Sequence, residues 1–265
     1  MDTLMAEKKP EHKAGIPGST LKLIAIITML IDHTAATILE RMMQHQGIEV
    51  FSVQGIMEPI SIMYLVMRII GRLGFPIFVF LLIEGLEHTR NRWKYLLRLV
   101  LFAAVSEIPF DFAFNLKLEQ IMSGQLVEWG YQNVFFTLSI GLLTIIGVQA
   151  IQVSGIAKWL QVLSEMGITI VGMIAAYLLH TDYDAVGILA IVMMYLLRKN
   201  LILATAASCI VLVFSSFLEM AAFLILIPIS CYNGARGWKL KWVFYIFYPA
   251  HLFILWLICW GMGIA

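Results

Sequence analysis

The sequence predicts an all-α, polytopic transmembrane bundle of about nine spans, with its N-terminus in the cytoplasm. Three observations carry this. Apolar residues make up 61% of the chain and charged residues 13%, whereas a soluble domain sits near half apolar and a quarter charged. Mean hydropathy is +0.88. The basic residues sort onto alternate connections, as the positive-inside rule requires.

Taken in order, residues 1–18 form a polar cytoplasmic tail with Lys8, Lys9 and Lys13, too polar for a signal-peptide core. Residues 19–265 form a single membrane domain. The first helix covers 19–39, with Ser19 or Thr20 able to cap it. A connection rich in Met, Gln and Glu follows. The second helix covers 63–86, and the third covers 93–114 with a bend near Pro109. After a polar loop, 115–132, come helices at 133–153, 166–179, 185–197, 201–217, 219–232 and 242–262. The fifth and sixth are short. With the N-terminus inside, Lys22, Arg90, Arg92, Lys94, Arg98, Lys158, Arg198, Lys199, Arg236, Lys239 and Lys241 all fall on the cytoplasmic side. The outer loops hold only Arg41 and Lys117. A net charge of +1 and the lack of a basic stripe argue against nucleic acid. Cys209, Cys231 and Cys259 lie in or at the ends of apolar runs with no ligand spacing, so they read as small buried hydrophobes and no metal is expected.

A charge at the bilayer centre costs about 2.5–3.5 kcal/mol even on lenient insertion scales, so such residues need a reason. Lys22 and His33 are eleven residues apart in the first run. Eleven steps of about 100° close three turns, placing both on one face about 16 Å apart along the axis. That stripe leads from the cytoplasmic mouth to an imidazole in the outer half. Asp32 points elsewhere; capping, pairing with another helix and orienting a histidine are all open to it. Arg68 and Arg72 are one turn apart and share a face, as do Glu107 and Asp111 around Pro109. The two pairs are suited either to interhelical ion pairing or to a charged pocket around His33. His251 is a second intramembrane histidine, beside Pro249, which frees a backbone carbonyl that something must satisfy. His180, Asp182 and Asp184 suit a tight outer turn, and His45 an outer loop. Two cytoplasmic clusters could hold an anion: His88 to Lys94 with Arg98, and the glycine-rich turn Asn233-Gly234-Ala235-Arg236-Gly237.

The strings LKLIAIITMLIDH, GRLGFPIFVFLLIEGLEHTRNRWKYLLRL, SEIPFDFAF, NVFFTL, YNGARG and FYPAHL occur in this order from about Leu21 to Leu252. Together they resemble the TraX family of membrane acetyltransferases. Lys22, ten residues and His33 also resemble the basic-x10-His pattern of the acyltransferase-three family, which with the heparan glucosaminide acetyltransferases looks like a wider relative. The resemblance implies an integral enzyme of the bacterial cytoplasmic membrane, using acetyl-CoA from the cytoplasm as acyl donor. Its acceptor would be a peptide N-terminus, a glycan or a small amine at or across the membrane; the founding TraX activity is N-acetylation of a pilin's N-terminus. The phosphates of the donor would meet Lys22, Arg90, Arg92, Lys94, Arg98, Asn233 and Arg236. His33 would act as general base, with Asp32, Glu107 or Asp111 orienting or charge-balancing it, Arg68 and Arg72 lining the charged pocket, and His251 carrying a second proton or holding the thioester carbonyl. An acetyl-imidazole intermediate is the other route open to such a histidine. Membrane lipids are the remaining expected partner. A proton-coupled transporter or exporter using the same buried charges, and a non-catalytic scaffold, are the competing classes.

Overall fold

The computed structural model describes residues 14–50, 52, 55–238 and 241–265, and they are helical with no sheet. Lys8, Lys9, Lys13 and Lys239 of the expected basic face lie outside the described residues. The first rod is α1 (Gly18–Thr34), a π-helical turn (Ala35–Leu39) and α2 (Glu40–Gln46), 29 residues in one run. After a 3-10 turn (Gly55–Met57) come α3 (Pro59–Gly71), α4 (Gly74–Glu87), α5 (Arg92–Phe114) and the short α6 (Leu118–Met122). The second half holds α7 (Val134–Gln152), α8 (Lys158–Leu178), α9 (Asp184–Leu196), α10 (Leu201–Val213), a 3-10 helix (Phe217–Ile225), α11 (Leu226–Ser230) and α12 (Lys241–Gly261).

Local chemistry explains the starts. Asn91, Asn133 and Asn200 each accept a backbone N–H from the first turn of α5, α7 and α10, at 2.9, 3.0 and 3.1 Å, each such cap stabilising a helix by about 1 kcal/mol. Helix α1 starts differently from the expectation. Pro17 is its N-cap and offers no side-chain bond. The Gly18 and Ser19 N–H groups instead donate to the carbonyls of Ala235 and Arg236, at 2.7 and 3.1 Å. Neither Ser19 nor Thr20 caps the helix, because both already lie in its first turn.

Helix α1 packs on α3, α4 and α12; α12 packs on α5, α5 on α7, and α7 on α8 and α9. The core between them is built from Phe75, Phe80, Phe110, Leu142, Ile145, Ile191, Tyr195 and Tyr248, among others. Helix α8 stands outermost. It buries only small residues, Thr169, Gly172 and Ala176, and turns Trp159, Leu163, Val171 and Leu178 outward. In lipid that face is at home, and small residues let helix backbones approach.

Among the described residues four helices are long and apolar enough to cross a membrane: Gly18–Gln46, Pro59–Glu87, Val134–Gln152 and Lys158–Leu178. The apolar helices Asp184–Leu196, Leu201–Val213, Phe217–Ser230 and Tyr245–Gly261 are shorter, and thirteen residues span only about 20 Å of a hydrocarbon core near 30 Å. The chain is a helical membrane protein, and among the described residues its rods follow the order of the expected runs. The boundaries differ in several places: the first rod runs on to Gln46 rather than ending near 39, the second starts at Pro59 rather than 63, and three further changes stand out. The fifth run begins at Lys158 rather than near 166, because Gln161 and Glu165 bond to each other at 2.7 Å within the helix. The second run is broken at Arg72–Leu73, between Gly71 and Gly74. The eighth is 3-10 for most of its length.

Candidate active site

Two polar constellations occupy the middle of the bundle. In the first, His33 at the end of α1 meets His251 of α12, with Nδ1 of His33 2.7 Å from Nε2 of His251 and the ring planes 7° apart. Phe114 and Tyr248 press edge-on against His33. Phe247 stacks on His251, which is 4% exposed. The helix backbone is disturbed on both sides. The π-helical turn begins two residues after His33, where the Thr37 hydroxyl donates to the His33 carbonyl at 2.6 Å, and such bulges recur at functional sites. On the other side Pro249 removes one N–H from the ladder of α12.

The hydrogen bonds fix the tautomers. Nδ1 of His251 lies 2.7 Å from the Phe247 carbonyl. A carbonyl only accepts, so Nδ1 carries the proton, and Nε2 of a neutral His251 is the acceptor. Nδ1 of His33 must then donate to it, which leaves Nε2 of His33 with an unshared pair. A backbone carbonyl thus aims the basic nitrogen of His33 through a second ring, as a carboxylate does for the histidine of a hydrolytic triad.

The second constellation is ionic. Asp32 accepts from Nη1 of Arg68 at 2.7 Å and from Nη2 of Arg72 at 2.9 Å. Arg72 also donates to Glu219 at 3.0 Å, and its Nε donates to the Arg68 carbonyl at 3.2 Å. The two acids and two arginines cancel. Close packing makes this possible: a Cβ on Gly71 would lie 2.1 Å from Oδ1 of Asp32. A buried charge pair is tolerated when its lone pairs and protons are matched.

Of the roles open to Asp32 these contacts select pairing with another helix, and they correct the expected roles of Glu107 and Asp111. Asp32 pairs with α3 and does not touch His33; one residue of helix turns it about 100° away. Glu107 and Asp111 do not meet Arg68 and Arg72. Glu107 accepts from the side-chain amide of Asn133, and Asp111 accepts from Asn115 at 2.6 Å and from the Glu128 N–H at 2.9 Å. They sit instead against the N-terminal end of α7 and the loop before it, where amide and backbone N–H groups donate to them. Neither acid orients the histidine; His251 does. Glu219 was not singled out from sequence, although it is the lone acid in an apolar run, and that was the available signal.

The basic side chains gather at the other end of α1. Arg90, Arg92 and Lys94 are exposed at the start of α5, with Arg92 donating to Gln149 at 3.2 Å. Arg98 turns inward to Tyr245 and over the Tyr95 ring, 5.7 Å from its centroid. Half-buried Lys22 lies close enough to exposed Arg236 to repel it. In the glycine-rich turn the Asn233 side chain already has protein partners. Asn233 is spent on the Ala235 N–H at 2.9 Å and the Gly15 carbonyl at 3.2 Å. The turn aims carbonyls, not N–H groups, at the start of α1. Cys209 and Cys259 are buried as expected, but Cys231 is exposed. His180 is exposed in a turn as expected; His45 is exposed too, but it lies in the last turn of α2 rather than in a loop.

Among the described residues, a cavity lies at each end of the bundle. One of about 420 Å³ is lined by Glu40, Met43, Glu49 and Tyr64. The other, about 270 Å³, sits between α4, α9 and α10. Neither includes Lys22 or His33.

The molecule is therefore a helical membrane protein with an aligned histidine pair and a neutral ion quartet at its centre. The TraX protein family matches residues 17–259, and the chain belongs to that family. It is similar to the probable fimbrial assembly protein FimC, serogroup H1, of Dichelobacter nodosus, 29% identical over 257 residues that cover 89% of this chain and 92% of that protein. No solved structure matches it.

Proposed function

We propose that the protein is a transmembrane acetyltransferase of the bacterial cytoplasmic membrane, moving an acetyl group from acetyl-CoA to an amine or hydroxyl acceptor. The observation that carries this is the His33–His251 pair, whose hydrogen bonds leave Nε2 of His33 unprotonated. The donor's phosphates meet the basic end, at Lys22, Arg90, Arg92, Lys94, Arg98 and Arg236. The acceptor comes from the far end, past the cavity lined by Glu40 and Tyr64. An acceptor N–H or O–H gives its proton to Nε2 of His33 as its heteroatom forms a bond to the thioester carbonyl carbon. The C–S bond then breaks, and the proton leaves with the CoA thiolate. His251 stays hydrogen-bonded throughout and shares the charge. The quartet of Asp32, Arg68, Arg72 and Glu219 takes a structural role, fixing α1 against the break between α3 and α4. The name of the relative, a fimbrial assembly protein, favours a pilus subunit's free N-terminus as acceptor.

The test is acetyl-CoA added to purified full-length protein, read by thermal shift and by label transfer to a peptide with a free N-terminus. Saturable binding and transfer support the enzyme. Absence of binding, with proton-coupled flux in liposomes, supports the transporter instead.

A further inference from the structure

The cleft between α4, α9 and α10 is unlike the rest of the basic end. Its walls are Phe80, Ile83, Met194, Leu201 and Ala204, and its rim carries both signs of charge: Glu84, Glu87, Arg198 and Lys199. The rim is only partly self-satisfied. Nε of Arg198 donates to one oxygen of Glu87 at 2.9 Å, Nη1 donates to the Tyr195 carbonyl at 2.9 Å, and the guanidinium lies 3.9 Å over the Tyr195 ring. Oε2 of Glu84 accepts from Tyr232 at 3.0 Å. Among the described residues this leaves Nη2 of Arg198 and Lys199 as donors, and one oxygen each of Glu84 and Glu87 as acceptors.

A simple anion would meet two carboxylates there, and a simple cation would meet two basic groups. A ligand with a phosphate and an ammonium a few bonds apart meets both. The cleft lies where α4 and α9 end and α10 begins, and its floor is apolar. At about 30 Å³ per water-sized group, 270 Å³ accommodates roughly nine such groups, enough for a phosphoethanolamine head at the start of its chains. We propose that this cleft binds a zwitterionic phospholipid with a primary ammonium head. The phosphate lies on Lys199 and Arg198, the ammonium on Glu84 and Glu87, and an acyl chain runs along Phe80, Met194 and Ala204. A quaternary ammonium offers no N–H to the two acids, and a glycerol head offers no cation, so neither substitutes for it.

Native mass spectrometry of the full-length protein, titrated with phosphatidylethanolamine, phosphatidylcholine and phosphatidylglycerol of matched chains, tests this. The ethanolamine lipid should be retained several-fold more than the other two. Lys199→Ala, at an exposed position, should weaken it about tenfold, the lower end for one charge-assisted hydrogen bond. Ala204→Phe should fill the cleft and remove the preference, with a melting curve to confirm that the variant folds. Equal retention of ethanolamine and choline lipids, preference for the glycerol lipid, or an unchanged titration with Lys199→Ala would each overturn the assignment.

Discussion

At the residue scale the decisive contact joins His33 and His251, 218 positions apart in sequence. The chain could show that each histidine is out of place in lipid, and the spacing from Lys22 to His33 gave the helix face. It could not show that they meet, since a non-local contact leaves no local pattern. The same reason hid Glu219, whose partner Arg72 is 147 positions away. We predict that His251→Leu, which leaves the His33 Nδ1 proton without an acceptor, slows transfer by about a hundredfold, the range of a lost acid–base device. His251→Gln should restore most of the rate, because an amide oxygen can accept the same proton; equal rates for the two variants would contradict a tautomer-setting role. Asp182, in the connection from α8 to α9, accepts from the Tyr131 hydroxyl, and burial raises its carboxyl above the ordinary 3.8. A raised acid binds its proton more tightly folded than unfolded, so its contribution to stability is complete below 3.8 and is lost as pH rises through the folded value. Asp182→Asn keeps an acceptor for Tyr131 without the charge. It should melt at a higher temperature than wild type at neutral pH, and the gap should close in acid.

At the element scale the first rod is held by its neighbour's gap. Helix α1 approaches α3 so closely that any side chain at position 71 would strike Asp32. Gly71→Ala should therefore lower the melting temperature in detergent, and a melting curve identical to wild type would show that the approach is loose. Arg72 forks to Asp32 and Glu219 together. Arg72→Ala strands Glu219 and leaves Asp32 with Arg68 alone, and should cost about 3–5 kcal/mol, the range for breaking a buried pair; Arg72→Ala with Glu219→Gln should recover part of that loss. Apolar length read the helices well, and the asparagine caps mark their starts as composition suggests. The break at Arg72–Leu73 and the 3-10 stretch from Phe217 escaped, because a run of apolar residues has the same hydropathy whether its hydrogen bonds reach three or four residues back.

At the scale of the whole molecule, apolar runs and basic sidedness made the class legible before any contact was known. The glycine-rich turn packs on the start of α1 through the Ala235 and Arg236 carbonyls, since glycine signals close backbone approach without saying which backbone atoms face inward. Sidedness is directly testable through a native reporter. Cys231 is exposed at the basic end, and Cys209 and Cys259 are buried. A membrane-impermeant maleimide should label one site in inside-out vesicles and none in right-side-out ones; the reverse would invert the topology. The central claim is that His33 moves a proton while acetyl passes from a thioester at the basic end to an acceptor at the other. Proteoliposomes with acetyl-CoA on the basic side and a free-N-terminus peptide on the far side measure it. Wild type should acetylate the peptide, and His33→Ala should lose about a hundredfold or more of that rate while still binding acetyl-CoA; full transfer by His33→Ala would contradict the account.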